Sequence, residues 1–137
     1  MYAFRRESPL HERYAAWLAD LLDGSDEIGV TEGALTGFLR IVTNPRIYAD
    51  PAPARDAVAF VDAVRRARRR RWVVVNDAVW TTFAALVDSD AQVRGNLVPD
   101  AWLSALALAH GCRIATADRG FARFDGLDWF DPARPHP

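Results

Sequence analysis

Two aspartates stand where predicted helices and strands begin or end. Asp100 follows Pro99 at the start of an apolar stretch with helical character, and Asp118 follows the short β-type run 113–117. Carboxylate oxygens are the ligands that hard divalent cations prefer. Free backbone N–H groups and the helix dipole also favour an acidic side chain at a helix start, so capping is an alternative interpretation of Asp100. Asp118 lies at the carboxyl end of a predicted buried strand, which is where sites form in open α/β sheets.

Helix-like and strand-like patterns alternate along the chain. Apolar residues at helical spacing predict the helices, and short apolar or β-branched runs predict the strands between them. The predicted helices cover 9–22, 32–43, 54–69, 79–87 and 100–110, and the predicted strands cover 28–30, 72–75, 113–116 and 127–130. This order predicts one α/β unit.

Length and composition indicate a single domain. The chain has 137 residues, half of them hydrophobic, which is enough for one sizeable core. No apolar run approaches the roughly 20 residues that span a bilayer, and the basic-then-apolar order of a signal peptide is missing. We therefore expect one domain over 1–137, no membrane association and a cytoplasmic location. The lone cysteine, Cys112, lies in an apolar strand context that favours packing over a reactive thiol.

All 17 basic residues are arginine, although the formal net charge is only −1. A GC-rich genome would favour arginine codons, and the planar guanidinium also suits bidentate contacts with phosphate or carboxylate. Six of these arginines lie within residues 65–71. This arginine run could neutralise nucleic-acid phosphates or pair with an acidic partner, and it could equally be the solvated end of a helix whose dipole it complements.

Three motifs occur in a defined order. They read FLRIVTNPRI over 38–47, GNLVPDA over 95–101 and TADRGFARF over 116–124. In this order they resemble the PIN-domain ribonucleases, and more narrowly the VapC toxins of bacterial toxin–antitoxin pairs, nearly from residue 2 to residue 132. The resemblance implies a three-layer α/β/α sandwich around a short parallel sheet. It also implies an enzyme that cuts RNA with Mg²⁺ or Mn²⁺ held by clustered carboxylates.

Asp100 and Asp118 are the metal ligands that the resemblance implies. Phosphodiester hydrolysis requires an activated water and neutralisation of the charge on the phosphate oxygens, and a divalent ion can supply both. His11, His110 and His136 lie far apart and lack metal-ligand spacing, so no zinc constellation is expected.

The resemblance also implies a first strand that this sequence does not contain. Family members begin with an apolar strand that lies in the middle of the sheet and ends in a metal-binding aspartate, whereas this chain starts at Met1-Tyr2. Two explanations stay open: the natural protein is longer, or this is a degenerate copy that no longer cuts RNA. The family's helical glutamate is also missing from 35–37. Glu32 at the helix start is the nearest replacement, although dipole capping explains it equally well.

Four polar side chains are candidates for RNA binding. Arg94 and Asn96 precede Asp100 on a loop, where turn formation is the alternative. Arg40 and Arg46 flank a helix exit, where an arginine can stabilise transition-state charge or pair with a neighbouring carboxylate.

The leading hypothesis is a metal-dependent endoribonuclease toxin of a type II toxin–antitoxin system. Its catalytic carboxylates would be Asp100, Asp118 and Glu32. The resemblance implies three partners, namely a cognate antitoxin, RNA and a second copy of the chain in a homodimer. The alternative is a catalytically inactive PIN module that binds only an antitoxin or RNA.

Overall fold

A computed structural model describes residues 1–134, so His136 lies outside the described residues. The chain divides into two compact units, Met1–Trp72 and Val73–Pro137. The expectation of a single domain over 1–137 stays a prediction. Among residues 1–134, none of the helices has both the length and the apolar character that crossing a bilayer requires.

The first unit combines helices with a pair of parallel strands. Its elements are α1 (His11–Asp23), β1 (Ile28–Val30), α2 (Glu32–Val42), α3 (Ala54–Arg65) and β2 (Arg70–Trp72). Strand β1 pairs with β2 so that Ile28 lies opposite Arg70 and Val30 opposite Trp72. Ile28 and Val30 are buried while Gly29 between them is exposed, so β1 covers the core with one face.

Helix α2 begins and ends where the local chemistry requires. The Thr31 hydroxyl accepts a hydrogen bond from Ala34 N at 3.0 Å, which satisfies a free N–H of the first turn. At the other end, the N–H and hydroxyl of Thr43 both donate to Leu39 O. The helix predicted for 32–43 is confirmed.

Helix α3 is shorter than predicted. The helical pattern predicts 54–69, but the helix ends at Arg65. Arg70 N then donates to Ala67 O at 3.1 Å, which closes a turn beyond the helix. A helix end therefore accounts for only the beginning of the arginine run.

Strand β2 lies earlier in the chain than predicted. The β-branched run predicts a strand over 72–75, whereas the strand is Arg70–Trp72. Ile28 N donates to Arg69 O at 3.0 Å and thereby sets the register with β1. The pairing partner decides which residues form the strand, and local β propensity does not contain that information.

The second unit also combines α-helices with a pair of short parallel strands, and it adds two 3₁₀ turns. Its elements are α4 (Asp77–Ser89), a 3₁₀ turn (Gly95–Leu97), α5 (Val98–His110), β3 (Ile114–Ala115), a second 3₁₀ turn (Arg119–Arg123) and β4 (Trp129–Phe130). Strands β3 and β4 pair in parallel, with Ile114 opposite Trp129. The strands predicted for 113–116 and 127–130 are confirmed, with shorter limits.

The core of the second unit forms where α4 packs on α5. Its buried side chains are Val79, Leu86, Val93, Ala101, Ala105, Leu106, Ala107, Ile114, Phe121 and Phe124. Helix α5 ends at His110, and the next residue, Gly111, has a φ of +63°, the left-handed conformation that glycine adopts without strain from a Cβ. This core includes Ala101 near the start of α5 and Ile114 of β3, so it fixes the helix that carries Asp100 and the strand that precedes Asp118.

The α/β class is confirmed. In the described part of the chain the strands form two-stranded parallel sheets, one in each unit. Parallel pairing needs long crossover connections, and helices occupy these connections in the first unit, while the short second 3₁₀ turn lies between β3 and β4.

Candidate functional site

Asp100 lies in the first turn of α5, directly after a proline. Leu97 is the residue that precedes the helix, and α5 has no side-chain cap there. Within residues 1–134, the Asp100 carboxylate has neither a hydrogen bond nor an ion pair, although the residue is half-buried. Capping by hydrogen bond therefore does not explain this aspartate, and only the helix dipole favours it locally.

Asp118 lies between β3 and the second 3₁₀ turn, where hydrogen bonds hold it in place. Its Oδ1 atom accepts from Gly120 N at 2.8 Å, and its own N–H donates to Thr116 Oγ1 at 3.0 Å. A Cβ on Gly120 would lie 3.0 Å from Asp118 Oδ1, closer than nearly all real contacts of that kind. The glycine thus lets the backbone approach the carboxylate, and the hydrogen bond leaves Oδ2 free of this contact.

The two carboxylates act on each other electrostatically. The pKa of Asp100 is raised, first because burial penalises its charged form and second because the negative charge of Asp118 repels it. The positive charge of Arg123 opposes this shift without cancelling it. A partly buried anion that repels a second anion gains stability when a cation binds between them.

The donor set fits a hard divalent ion such as Mg²⁺ or Mn²⁺. Both candidate ligands offer only oxygen, and Mg²⁺ is commonly bound by one or two carboxylates while it keeps several waters. In the described range 1–134, no group of three His, Cys, Asp or Glu side chains is placed to hold a metal together. His11 Nδ1 lies 3.1 Å from Tyr2 O, and His110 Nε2 lies 2.8 Å from Val74 O, so both imidazoles contact backbone carbonyls.

Arg123 forms an ion pair that sequence reasoning missed. Its Nε and Nη2 atoms donate to Asp90 Oδ2 at 3.0 and 2.8 Å, and Nη2 also donates to Gln92 Oε1 at 3.0 Å. Arg123 belongs to the 3₁₀ turn that begins beside Asp118, and Asp90 follows α4 in the segment that leads to Asp100. Arg123 thus links the two segments that carry the candidate carboxylates. It lies within the third motif, but its partner is 33 residues away and no local pattern marks it.

Arg94 and Asn96 are exposed on the segment before α5. Arg94 is extended, and the next residue, Gly95, has a φ of +56°, which turns the chain into the 3₁₀ turn that contains Asn96. Leu97 N donates to Arg94 O, so the turn is made by backbone atoms and not by these two side chains. Both side chains are therefore free to contact a ligand.

Glu32, Arg40 and Arg46 belong to the first unit. Glu32 is exposed in the first turn of α2, where Thr31 and not Glu32 provides the hydrogen-bonded cap. Arg40 is exposed in the last turn of the same helix, and the backbone N of Arg46 donates to Asn44 Oδ1 at 2.9 Å. Their predicted catalytic and RNA-binding roles stay predictions.

Comparison with known proteins decides the family. The family model described as PIN domain matches residues 1–127. Ribonuclease VapC43 of Mycobacterium tuberculosis is 36% identical over 132 residues, which are 96% of this chain and 89% of that protein. Ribonuclease VapC25 of the same organism is 36% identical over 130 residues (95% and 91%), and Ribonuclease VapC33 is 34% identical over 142 residues (98% and 93%). This chain belongs to the VapC family of PIN-domain ribonucleases.

Membership of the VapC family confirms the resemblance that the three motifs indicated. The PIN-domain match includes both candidate metal ligands, Asp100 and Asp118, together with Asp90 and Arg123. The candidate carboxylates therefore lie inside the part of the chain that the PIN-domain model matches.

Proposed function

We propose that this protein is an endoribonuclease toxin of a type II toxin–antitoxin system. The observation that carries the proposal is the unpaired carboxylate of Asp100, whose pKa is raised by burial and by the charge of Asp118, within a chain of the VapC family. The relatives are named as ribonucleases, which supports RNA as the substrate class. Because RNA is the substrate, the cytoplasm is the proposed site of action.

Asp100 and Asp118 would hold the ion, which is Mg²⁺ or Mn²⁺. When bound, the ion supplies Lewis-acid stabilisation of charge on the phosphate oxygens and lowers the pKa of water. Asp118 is oriented for this role by Gly120 N, and Arg123 maintains the spacing of the two segments through Asp90. Glu32 is the proposed additional catalytic carboxylate.

The chain's own cations would bind the substrate. Arg94 and Asn96 are exposed just before Asp100, so they can donate hydrogen bonds to phosphate oxygens of an RNA that enters beside the carboxylates. Arg40 and Arg46 are proposed to bind RNA phosphates from the first unit. Family membership supports a cognate VapB-type antitoxin as the protein partner, and we propose a homodimer as the assembly.

Cleavage of a structured RNA tests the function. The chain 1–137 would be assayed with Mg²⁺ and with Mn²⁺, beside Asp100→Asn and Asp118→Asn. Loss of a ligand should reduce the rate by at least about 100-fold, because even outer-shell changes at metal sites cost about 10- to 100-fold. The matched control is Asp125→Asn, since Asp125 is an exposed aspartate in the same unit and should leave the rate unchanged.

The competing function is a binding module without catalysis. It is favoured by one observation, namely that residues 1–134 contain no group of three metal-binding side chains. Cleavage that needs the divalent ion and disappears in Asp100→Asn would exclude this module. No cleavage by any variant, with retained binding to RNA or antitoxin, would establish it instead.

A further inference from the structure

The arginine run 65–71 does not form a single helical face. Arg65 ends α3, Arg66 follows it, and Arg70 and Arg71 lie in β2 after the turn that Arg70 N closes with Ala67 O. The chain therefore folds back within the run. The six arginines are distributed over a helix end, a turn and strand β2, whose pairing partner within residues 1–134 is β1.

The carboxylates near the run neutralise only its two ends. Asp62 pairs with Arg65 at 3.0 Å and with Arg66 at 3.9 Å. At the far end, Arg71 pairs with Glu27 at 3.0 Å. These contacts, together with the helix dipole, account for three of the six arginines.

The middle of the run is not neutralised. Over residues 1–134, no carboxylate lies within ion-pair distance of Arg68, Arg69 or Arg70. Arg68 and Arg69 are exposed, and they lie beyond the last turn of α3, where the dipole no longer acts strongly. Three adjacent cations without a protein anion are an arrangement that a polyanion would stabilise.

An exposed tryptophan, Trp72, lies next to these arginines. Trp72 is 43% exposed, although tryptophan is a residue that proteins usually bury to a large extent. Arg70 and Trp72 lie on the same face of β2, and the Arg70 guanidinium is 5.4 Å from the centroid of the Trp72 ring. Exposed aromatic rings beside phosphate-binding cations are the combination with which proteins bind single-stranded nucleic acid.

We propose that Arg68, Arg69, Arg70 and Trp72 form a binding surface for single-stranded RNA. The arginines contact phosphates and the Trp72 ring stacks on an unpaired base, which a continuous duplex does not offer. The proposal rests on the proposed function for its choice of RNA. It adds to that function a substrate contact in the first unit that does not involve the carboxylates.

Binding without cleavage tests this surface. Anisotropy of a fluorescein-labelled single-stranded RNA of mixed sequence would be measured with the full chain in EDTA, at several salt concentrations. The triple variant Arg68→Ser, Arg69→Ser, Arg70→Ser should bind at least about tenfold more weakly, and the slope of log affinity against log salt should fall by about 2 units, since each lost phosphate contact removes about 0.7. The matched control is Arg6→Ser, Arg13→Ser, Arg55→Ser, which removes the same charge from exposed positions of the same unit.

Two substitutions at the tryptophan separate stacking from charge. Trp72→Ala should weaken binding by about tenfold, while Trp72→Phe should retain most of the affinity, because a phenyl ring can still stack. An unlabelled duplex of the same length should compete less well than the single strand. Thermal unfolding of each variant shows whether it is folded.

The results of these experiments test the RNA-binding surface independently of the proposed nuclease function. If the triple variant and its control bind the RNA equally well, the proposed RNA-binding surface is refuted, even when the protein cleaves RNA. If the triple variant instead aggregates while its soluble fraction binds RNA normally, the arginines serve only to prevent aggregation through an exposed strand edge. The proposed RNA-binding surface is then refuted as well. If binding is lost in the triple variant alone and no cleavage is found, the surface stands and the nuclease function fails.

Discussion

The guanidinium of Arg123 donates to Asp90 Oδ2 through both Nε and Nη2, at 3.0 and 2.8 Å. The two side chains are each 28% exposed, so both partners of this ion pair are partly shielded from water. The contact ties the turn after Asp118 to the segment before Asp100.

Replacement of Arg123 should impair cleavage indirectly. We expect Arg123→Gln to lower kcat by about 10- to 100-fold, because small displacements of catalytic groups have effects of that size. The control is Arg119→Gln, which removes an exposed arginine of the same turn that has no ion pair in the described range. Since a positioning role predicts weaker metal binding as well, Mn²⁺ affinity should fall in Arg123→Gln but not in Arg119→Gln. Equal affinities would contradict the role.

Asp90 should make the stability depend on pH in the acid range. Its pKa is lowered, first by the hydrogen bond from Gln92 N and then by Arg123. The charged form is thus favoured in the folded state, so this contribution is present above the unfolded pKa of about 3.9 and is lost as the pH falls through the lower folded pKa. Urea unfolding should show Asp90→Asn less stable than the natural chain at pH 7, with the difference disappearing towards pH 2. A difference that persists unchanged in acid would refute this assignment.

The charged carboxylate of Asp100 should destabilise the metal-free protein, whereas that of Asp90 stabilises it. Its folded pKa is raised, so the charged carboxylate opposes folding once the pH exceeds the unfolded pKa. Asp100→Asn should therefore raise Tm at pH 7 in EDTA, and the gain should vanish when both states are protonated in acid. Addition of Mn²⁺ should reverse the order, because an ion at 100 times its Kd stabilises the natural chain by about 2.7 kcal/mol. A variant that is less stable than the natural chain in EDTA would contradict the repulsion between Asp100 and Asp118.

Gly120 should be required for the position of Asp118. A methyl group in Gly120→Ala would lie 3.0 Å from Asp118 Oδ1, so the carboxylate or the turn must move. We expect metal affinity to drop by about tenfold, as for other changes that reorient a ligand. Gly33→Ala is the control, since a Cβ there meets no atom within 4 Å. Titration with Mn²⁺ compares the two variants, and equal affinities would show that Asp118 tolerates the shift or binds no ion.

Local signals in the sequence were sufficient for most of the secondary structure. Thr31 caps the start of α2 and Gly111 follows the end of α5, because caps and breakers act on their immediate neighbours. At the arginine run, these local signals predicted the wrong limits for α3 and β2. There the pairing with Ile28 placed β2 at Arg70–Trp72 instead of 72–75, so that the strand includes residues whose own propensity favours a helix.

The candidate carboxylates were recognisable from the sequence for the same reason, namely that their signals are local. Asp100 and Asp118 were found from their places at element ends and from the motifs around them. The absence of a hydrogen-bonded cap for α5, the hydrogen bond from Gly120 to Asp118 and the shift in the pKa of Asp100 required coordinates. The metal-binding role of Asp100 and Asp118 stays a prediction, as do the roles of the other candidate residues, Glu32, Arg40, Arg46, Arg94 and Asn96.

By itself, the sequence determined the α/β class, the membership of the VapC family and the identity of the two candidate ligands. Spacing, capping and motif order are properties of neighbouring residues, so they can be read along the chain. Only the tertiary structure decided that Arg123 pairs with Asp90, that Arg68, Arg69 and Arg70 have no anionic partner in the described range, and that Trp72 is exposed beside them. These relationships depend on which distant segments meet, because burial and charge pairing are set by the packed fold and not by local order.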